Sequence, residues 1–130
     1  MPTRRVLLTA TALLLFLAPV RAGEIAPFSQ QVFKAAQAAG RPILIEITAP
    51  WCPTCKVQAP IIEELSSRDS LKDLIVLQVD FDTQTDIVRS LGANSQSTLI
   101  VFRGRNELSR SVGVTDPKAI EAQVTMAVAG

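Results

Sequence analysis

Histidine and tyrosine are both absent from the 130 residues. Without an imidazole there is no Ser-His-Asp triad, no histidine general base and no His-ligated metal centre. Aromatic residues make up 5% of the chain, one tryptophan and five phenylalanines, too few for a platform on which nucleic-acid bases stack. Charge of one sign is also lacking. Thirteen basic against 12 acidic residues leave a net of +1, which argues against a nucleic-acid binder that works by neutralising phosphates. Apolar residues nonetheless reach 48%, with 19% charged; this is a folding composition, and the length suits one domain. Cysteine is the remaining scarcity: there are two, Cys52 and Cys55, with only two residues between them.

The longest apolar run lies near the start. Arg4 and Arg5 precede apolar residues 6–18, and Val20-Arg21-Ala22 has the form of a small-residue cleavage site ahead of Gly23. That pattern is a secretory signal peptide over residues 1–22, with a single domain over residues 23–130. The run has 13 residues, fewer than the roughly 20 that span a bilayer as a helix. An N-terminal membrane anchor is the alternative, and the arginine pair also admits a twin-arginine export signal. Cleavage leaves 108 residues with 10 basic and 12 acidic side chains, a net of −2. The expected location is the periplasm, where a disulfide can persist.

Downstream, helical and extended patterns alternate. Ser29 can cap a helix bearing Val32, Phe33, Ala36 and Ala39 on one side, closed by Gly40 and Pro42. Residues 43–47, Ile-Leu-Ile-Glu-Ile, form a β-branched run suited to a buried strand. Residues 53–67 have helical spacing through Val57, Ile61, Ile62 and Leu65, with Pro60 inside to kink the helix. Strands are expected at 74–79, 98–102 and 108–112, a short helix at 86–91, and a last helix over 117–128 behind an Asp116 cap. A short strand near Ile25 completes the order. Strands joined through helices favour a mostly parallel sheet, to which the final hairpin adds an antiparallel edge. The expected fold is one α/β domain, a central mixed sheet with helices on both faces.

Two cysteines are too few for a stabilising framework, and closing so short a loop gains little. Their position is more informative. The 43–47 run ends, Thr48-Ala49-Pro50 turns the chain, and Cys52 opens the next helix. A thiol there meets unpaired N–H groups and the positive end of the helix dipole, which lower its pKa below the free value of about 8.5. Cys55 follows one turn later, close to Cys52. Cys52 can then attack a substrate disulfide and Cys55 can resolve the mixed disulfide. Pro53 suits the first helical turn, where its missing N–H has no partner to lose. A zinc half-site is the competing reading of the pair; it lacks two ligands.

Around these cysteines the sequence resembles the thioredoxin family. Residues 43–56 match the family's strand, its Trp-Cys-x-x-Cys motif (here Trp51-Cys52-Pro53-Thr54-Cys55) and the following lysine, Lys56. Pro60 matches the proline of the active-site helix, and residues 98–102 with Gly113 follow the family's third strand and later glycine. The resemblance implies a thioredoxin-like fold and thiol–disulfide exchange, with Cys52 as nucleophile, Cys55 as resolving thiol and Cys52–Cys55 as the redox-active disulfide. It further implies a proton relay at Glu46, the acid six residues before Cys52, and substrate contacts from Trp51, Pro53, Thr54, Ser97 and Thr98. Gln78 stands where many thioredoxins carry a lysine beside that acid. Ser97 stands in place of a cis-proline. A trans bond and a reshaped loop are therefore expected, with the N–H and hydroxyl of Ser97 facing Cys52. Asp80 and Asp82 are read as exposed strand-end carboxylates.

The functional expectation is an exported thiol–disulfide oxidoreductase that reduces disulfides of exported proteins. A strong oxidant needs a highly stabilised thiolate, often beside an imidazolium, and Thr54 offers only a hydroxyl. Alternatives are a disulfide oxidase or isomerase, and a non-enzymatic metal- or thiol-binding module. The expected partners are protein thiols and disulfides and a membrane electron donor. A monomer is expected, without nucleic acid, cofactor or metal.

Overall fold

The structure, a computed structural model, describes residues 23–129; the signal peptide expected at residues 1–22 lies outside them. Five strands and four helices follow in order: β1 Glu24–Pro27, α1 Gln30–Ala38, β2 Pro42–Thr48, α2 Pro53–Ser66, β3 Ile75–Asp80, α3 Thr85–Ser90, β4 Thr98–Arg103, β5 Asn106–Val112 and α4 Pro117–Thr125. A single 3-10 turn, Asp69–Leu71, joins α2 to β3.

Local chemistry sets most of these boundaries. The Ser29 hydroxyl accepts the Val32 N–H at 3.0 Å and starts α1. Asp116 does the same for α4 through the Ala119 N–H at 3.3 Å, with Pro117 following. The spacing at the C-terminus predicts a helix to residue 128, but α4 ends at Thr125. There the Arg103 guanidinium takes the carbonyls of Met126, Ala127 and Ala129. No helix among the described residues is long and apolar enough to cross a membrane.

The sheet order is β1-β3-β2-β4-β5. β1 and β2 both pair with β3 in parallel, whereas β4 is antiparallel to β2 and to β5. The final hairpin of β4 and β5 forms the antiparallel edge, as expected; β4 runs against both its neighbours, so the connection from β3 through α3 is not a parallel crossover. The six residues of α3 rise only about 9 Å, less than the length of a strand. The chain therefore enters β4 at the end of the sheet where β3 left it.

Two apolar layers enclose the sheet. α1 and α3 cover a cluster containing Phe33, Ile43, Ile45, Ile47, Leu77, Val88 and Ile100. α2 and α4 cover one containing Leu44, Ile62, Leu65, Val76, Leu99, Ile120 and Val124. Because side chains alternate along a strand, Glu46 and Gln78 fall on the face of Leu44 and Val76, the face covered by α2 and α4.

Candidate active site

β2 ends at Thr48, and the chain turns through Ala49, Pro50 and Trp51 into α2. The Cys52 N–H donates to the Ala49 carbonyl at 3.1 Å and closes this turn. Cys52 is itself the N-cap of α2, its Sγ accepting the Cys55 N–H at 3.1 Å, and Pro53 occupies the first turn. The sulfur thus sits where helix N–H groups stabilise negative charge. Cys52 and Cys55 form a disulfide with Cα atoms 5.3 Å apart. Both are buried, at 1% and 3% exposure, and with Ala49 they pack against Phe81.

Trp51 remains 55% exposed, so it is no core residue. Its indole N–H donates to Asp82 Oδ2 at 2.8 Å, and its ring meets Phe81 edge-on with centroids 6.5 Å apart. Asp82 is held in turn by Asp80, whose Oδ1 accepts the N–H groups of Asp82 and Thr83 at 2.9 and 3.1 Å. The expectation for Asp80 and Asp82 missed this work: they form the turn that anchors the tryptophan. Nothing in their spacing signalled it. Pro53 and Lys56 are exposed and Thr54 is half-buried. A cleft of about 350 Å³, lined by Thr48, Ala49, Pro50, Cys55, Lys56, Ala59 and Asp80, reaches Cys55 from the side. Among the described residues no three acidic or sulfur ligands gather into a metal site.

Glu46 is 2% exposed. Its Oε2 accepts a hydrogen bond from Gln78 Nε2 at 3.0 Å, across the register Glu46–Gln78. Burial pushes its carboxyl above the ordinary carboxylate value; the Gln78 bond opposes this and the Glu63 charge adds to it. An amide partner brings no positive charge to offset the burial.

Ser97 is buried and has φ 58, the one non-glycine residue with positive φ among those described, where every peptide bond is trans. The trans bond and the altered loop are as expected. The facing of its polar groups is not. Its N–H donates to the Ile47 carbonyl of β2 at 2.8 Å and its hydroxyl to the Gln96 carbonyl at 2.6 Å, so one is used by the neighbouring strand and the other within the loop, and neither is free for Cys52. A buried donor must be paired, and carbonyl oxygens are stronger acceptors than a disulfide sulfur. Thr98 is buried as well, its hydroxyl donating to the Ser95 carbonyl at 2.6 Å. Sequence reasoning also passed over Gln58, fully buried one turn after Cys55. A glutamine among the apolar positions of the helix was the available signal.

A disulfide at the start of a helix that follows a central parallel strand, with a buried acid on that strand, defines a thioredoxin-fold thiol–disulfide oxidoreductase. Comparison with known proteins agrees. The Thioredoxin family model matches residues 24–126, and the chain belongs to the thioredoxin family. It is similar to the crystal structure of Trxlp from Edwardsiella tarda, with a TM-score of 0.74, 38% identity, and coverage of 78% of this chain and 97% of that one. The thioredoxin of Chlamydia trachomatis is 34% identical over 92 residues, 71% of this chain and 87% of that protein. The bifunctional thioredoxin reductase/thioredoxin of Mycobacterium leprae is 34% identical over 80 residues; the match covers 62% of this chain and 17% of that protein.

Proposed function

We propose that this protein is exported to the periplasm and there reduces disulfides of exported proteins, drawing electrons from a membrane donor. The cycle uses the cysteine pair alone. The Cys52 thiolate attacks a substrate disulfide, forming one S–S bond and expelling one substrate thiolate. Cys55, deprotonated, then attacks Cys52 Sγ, re-forming the Cys52–Cys55 bond and releasing the second substrate sulfur as a thiolate, which takes a proton from water. Glu46 takes up the Cys55 proton. Trp51, Pro53 and Thr54, with the loop that Ser97 and Thr98 hold in place, meet the substrate.

The reductive direction rests on one observation: among the described residues the only hydrogen bond to Cys52 Sγ is from the Cys55 N–H, and the chain has no imidazole to add. Less thiolate stabilisation makes the dithiol the better reductant, by about 30 mV for each tenfold change in the equilibrium constant. Exposed Trp51 and Val112, the latter paired with Thr98 across β4 and β5, suit a protein surface better than a small thiol. Export rests on the charged, apolar and small-residue order of residues 1–22, and the protein acts as a monomer.

Equilibration with reduced and oxidised glutathione tests the direction. A dithiol–disulfide constant on the reducing side of the glutathione pair, together with reduction of insulin, is expected. A constant far on the oxidising side overturns the direction. Cell fractionation and N-terminal sequencing of the mature chain test export, and sedimentation tests the monomer.

A further inference from the structure

The buried positions of α2 are Cys55, Gln58, Ile62, Leu65 and Ser66. Gln58 is 0% exposed. Its Nε2 donates to the Val114 carbonyl at 2.9 Å and the Ser97 carbonyl at 3.3 Å. Its Oε1 is the one buried side-chain nitrogen or oxygen without a hydrogen-bond partner among the described residues. An unpaired buried acceptor is destabilising. A methionine or leucine would fill similar space without it. Helix stability therefore gives no reason for a glutamine here, and the reason lies in what its nitrogen holds.

Both carbonyls are held by a side chain one turn after Cys55, and the Ser97 N–H is held by Ile47 near the end of the strand that leads to Cys52. Ser97 enters β4, and Val114 follows β5 by two residues. The left-handed conformation of Ser97 is unfavourable for a residue with a side chain and persists only where its surroundings impose it. Three elements do so. The Ile47 carbonyl takes the Ser97 N–H, and the Ser97 carbonyl takes the N–H of Gly113 at 3.0 Å as well as Gln58 Nε2. Of the three, only Gln58 comes from the helix that carries the cysteines.

We propose that Gln58 is a positioning residue for protein substrates: it ties the Ser97 loop and the Val114 turn to the cysteine helix, so that the backbone beside the disulfide meets a substrate chain in one register. Proline would fix such a loop through its ring; here a buried amide fixes it from across the site. The inference rests on the reading of this protein as an oxidoreductase of protein disulfides. It assigns Gln58 no role in the bond-making step at sulfur.

Gln58→Met and, as a second fold-preserving variant, Gln58→Leu test it. Each is assayed with insulin as the protein disulfide and with a small aromatic disulfide that does not span the loop, using dithiothreitol as reductant. The expected result is a rise in KM for insulin of at least fivefold with kcat within twofold, against a loss of less than twofold in kcat/KM for the small disulfide. A structural role alone lowers the melting temperature and leaves the KM split absent. An active wild type whose folded variants keep the insulin KM within twofold overturns the role of Gln58 alone. A wild type inert towards both disulfides overturns the oxidoreductase reading together with this inference.

Discussion

Beneath α1 and α3 the sheet is covered by an unbroken apolar layer, in which Phe33 touches Phe28 and Phe102 with ring centroids 5.4 Å apart in each pair. Beneath α2 and α4 the same strands carry Glu46 and Gln78, and the helices above contribute Gln58, Ser66 and Gln123 to the buried set. Some of these polar groups are closed into the structure: Gln123 donates to the Leu99 carbonyl and accepts from the Ser111 hydroxyl. Others are left short of partners, as Gln58 is, or raised in pKa, as Glu46 is. Incompletely satisfied polar groups destabilise a fold. That they collect on the cysteine side identifies the face on which stability is given up for exchange chemistry, while the other face holds the domain together.

Paired variants separate the two faces most sharply. Cys52→Ser removes the nucleophile and is expected to abolish insulin reduction, whereas Cys55→Ala accumulates mixed disulfides visible on non-reducing gels. On the opposite face, Ile45→Ala empties a fully buried position and is expected to cost about 2–5 kcal/mol of stability, with the specific activity of the folded fraction retained. Exchange surviving in Cys52→Ser would break the comparison at its centre.

Glu46→Gln acts on both sides of it. As a relay for the Cys55 proton, its loss should slow resolution of the mixed disulfide on the order of 10²-fold, measured by rapid quench, and leave formation far less affected. The same substitution tests stability. Burial raises the folded-state pKa above the unfolded one, so with rising pH the unfolded chain gives up this proton first. The stability contributed by Glu46 is then complete below the ordinary carboxylate pKa and lost as pH climbs through its own higher value. Glu46→Gln does not ionise. It should melt no higher than wild type at pH 4 and higher at pH 8, by about 4–8 °C for each kcal/mol gained.

Much of the fold was legible because it is written in local patterns. The 43–47 run, the Ser29 and Asp116 caps and the glycine stops each depend on a few neighbouring residues. The place of β4 was not legible, because it depends on how far α3 carries the chain. At the site, the cysteine pair could be read from spacing and type, whereas Glu46 and its neighbour Gln78 came from the resemblance to thioredoxins; the structure buries Glu46 and bonds it to Gln78. The partners of Ser97, Asp82 and Gln58 lie 50, 31 and 39 residues away in sequence, at Ile47, Trp51 and Ser97. No short-range pattern carries such pairings.

Ser97→Pro asks how firmly the site-side loop is set. Proline needs φ near −65° and has no N–H, whereas Ser97 has φ 58 and donates its N–H to Ile47. The substitution loses that bond and must rebuild the loop, with an expected destabilisation of about 3 kcal/mol. Chemical denaturation measures it. A variant as stable as wild type would mean that the loop has a second, proline-compatible arrangement of equal free energy.

The smallest effect is expected where the site meets solvent. Asp82→Ala removes the acceptor of the Trp51 indole N–H but leaves the indole 55% exposed, free to bond water instead. Stability should therefore change by less than about 1 kcal/mol. The indole loses its fixed pose over Phe81 and with it the ordering that substrate binding would otherwise have to supply, so the insulin KM should rise about two- to threefold. Trp51 is the only tryptophan in the chain, and its emission reports directly on the site. In wild type, reduction of the adjacent disulfide should change the emission sharply; in Asp82→Ala a mobile indole samples positions farther from the sulfurs, and the change should shrink. An undiminished redox response in the variant would show that Phe81 packing alone holds the ring, and that the Asp80–Asp82 turn serves the strand end and not the site.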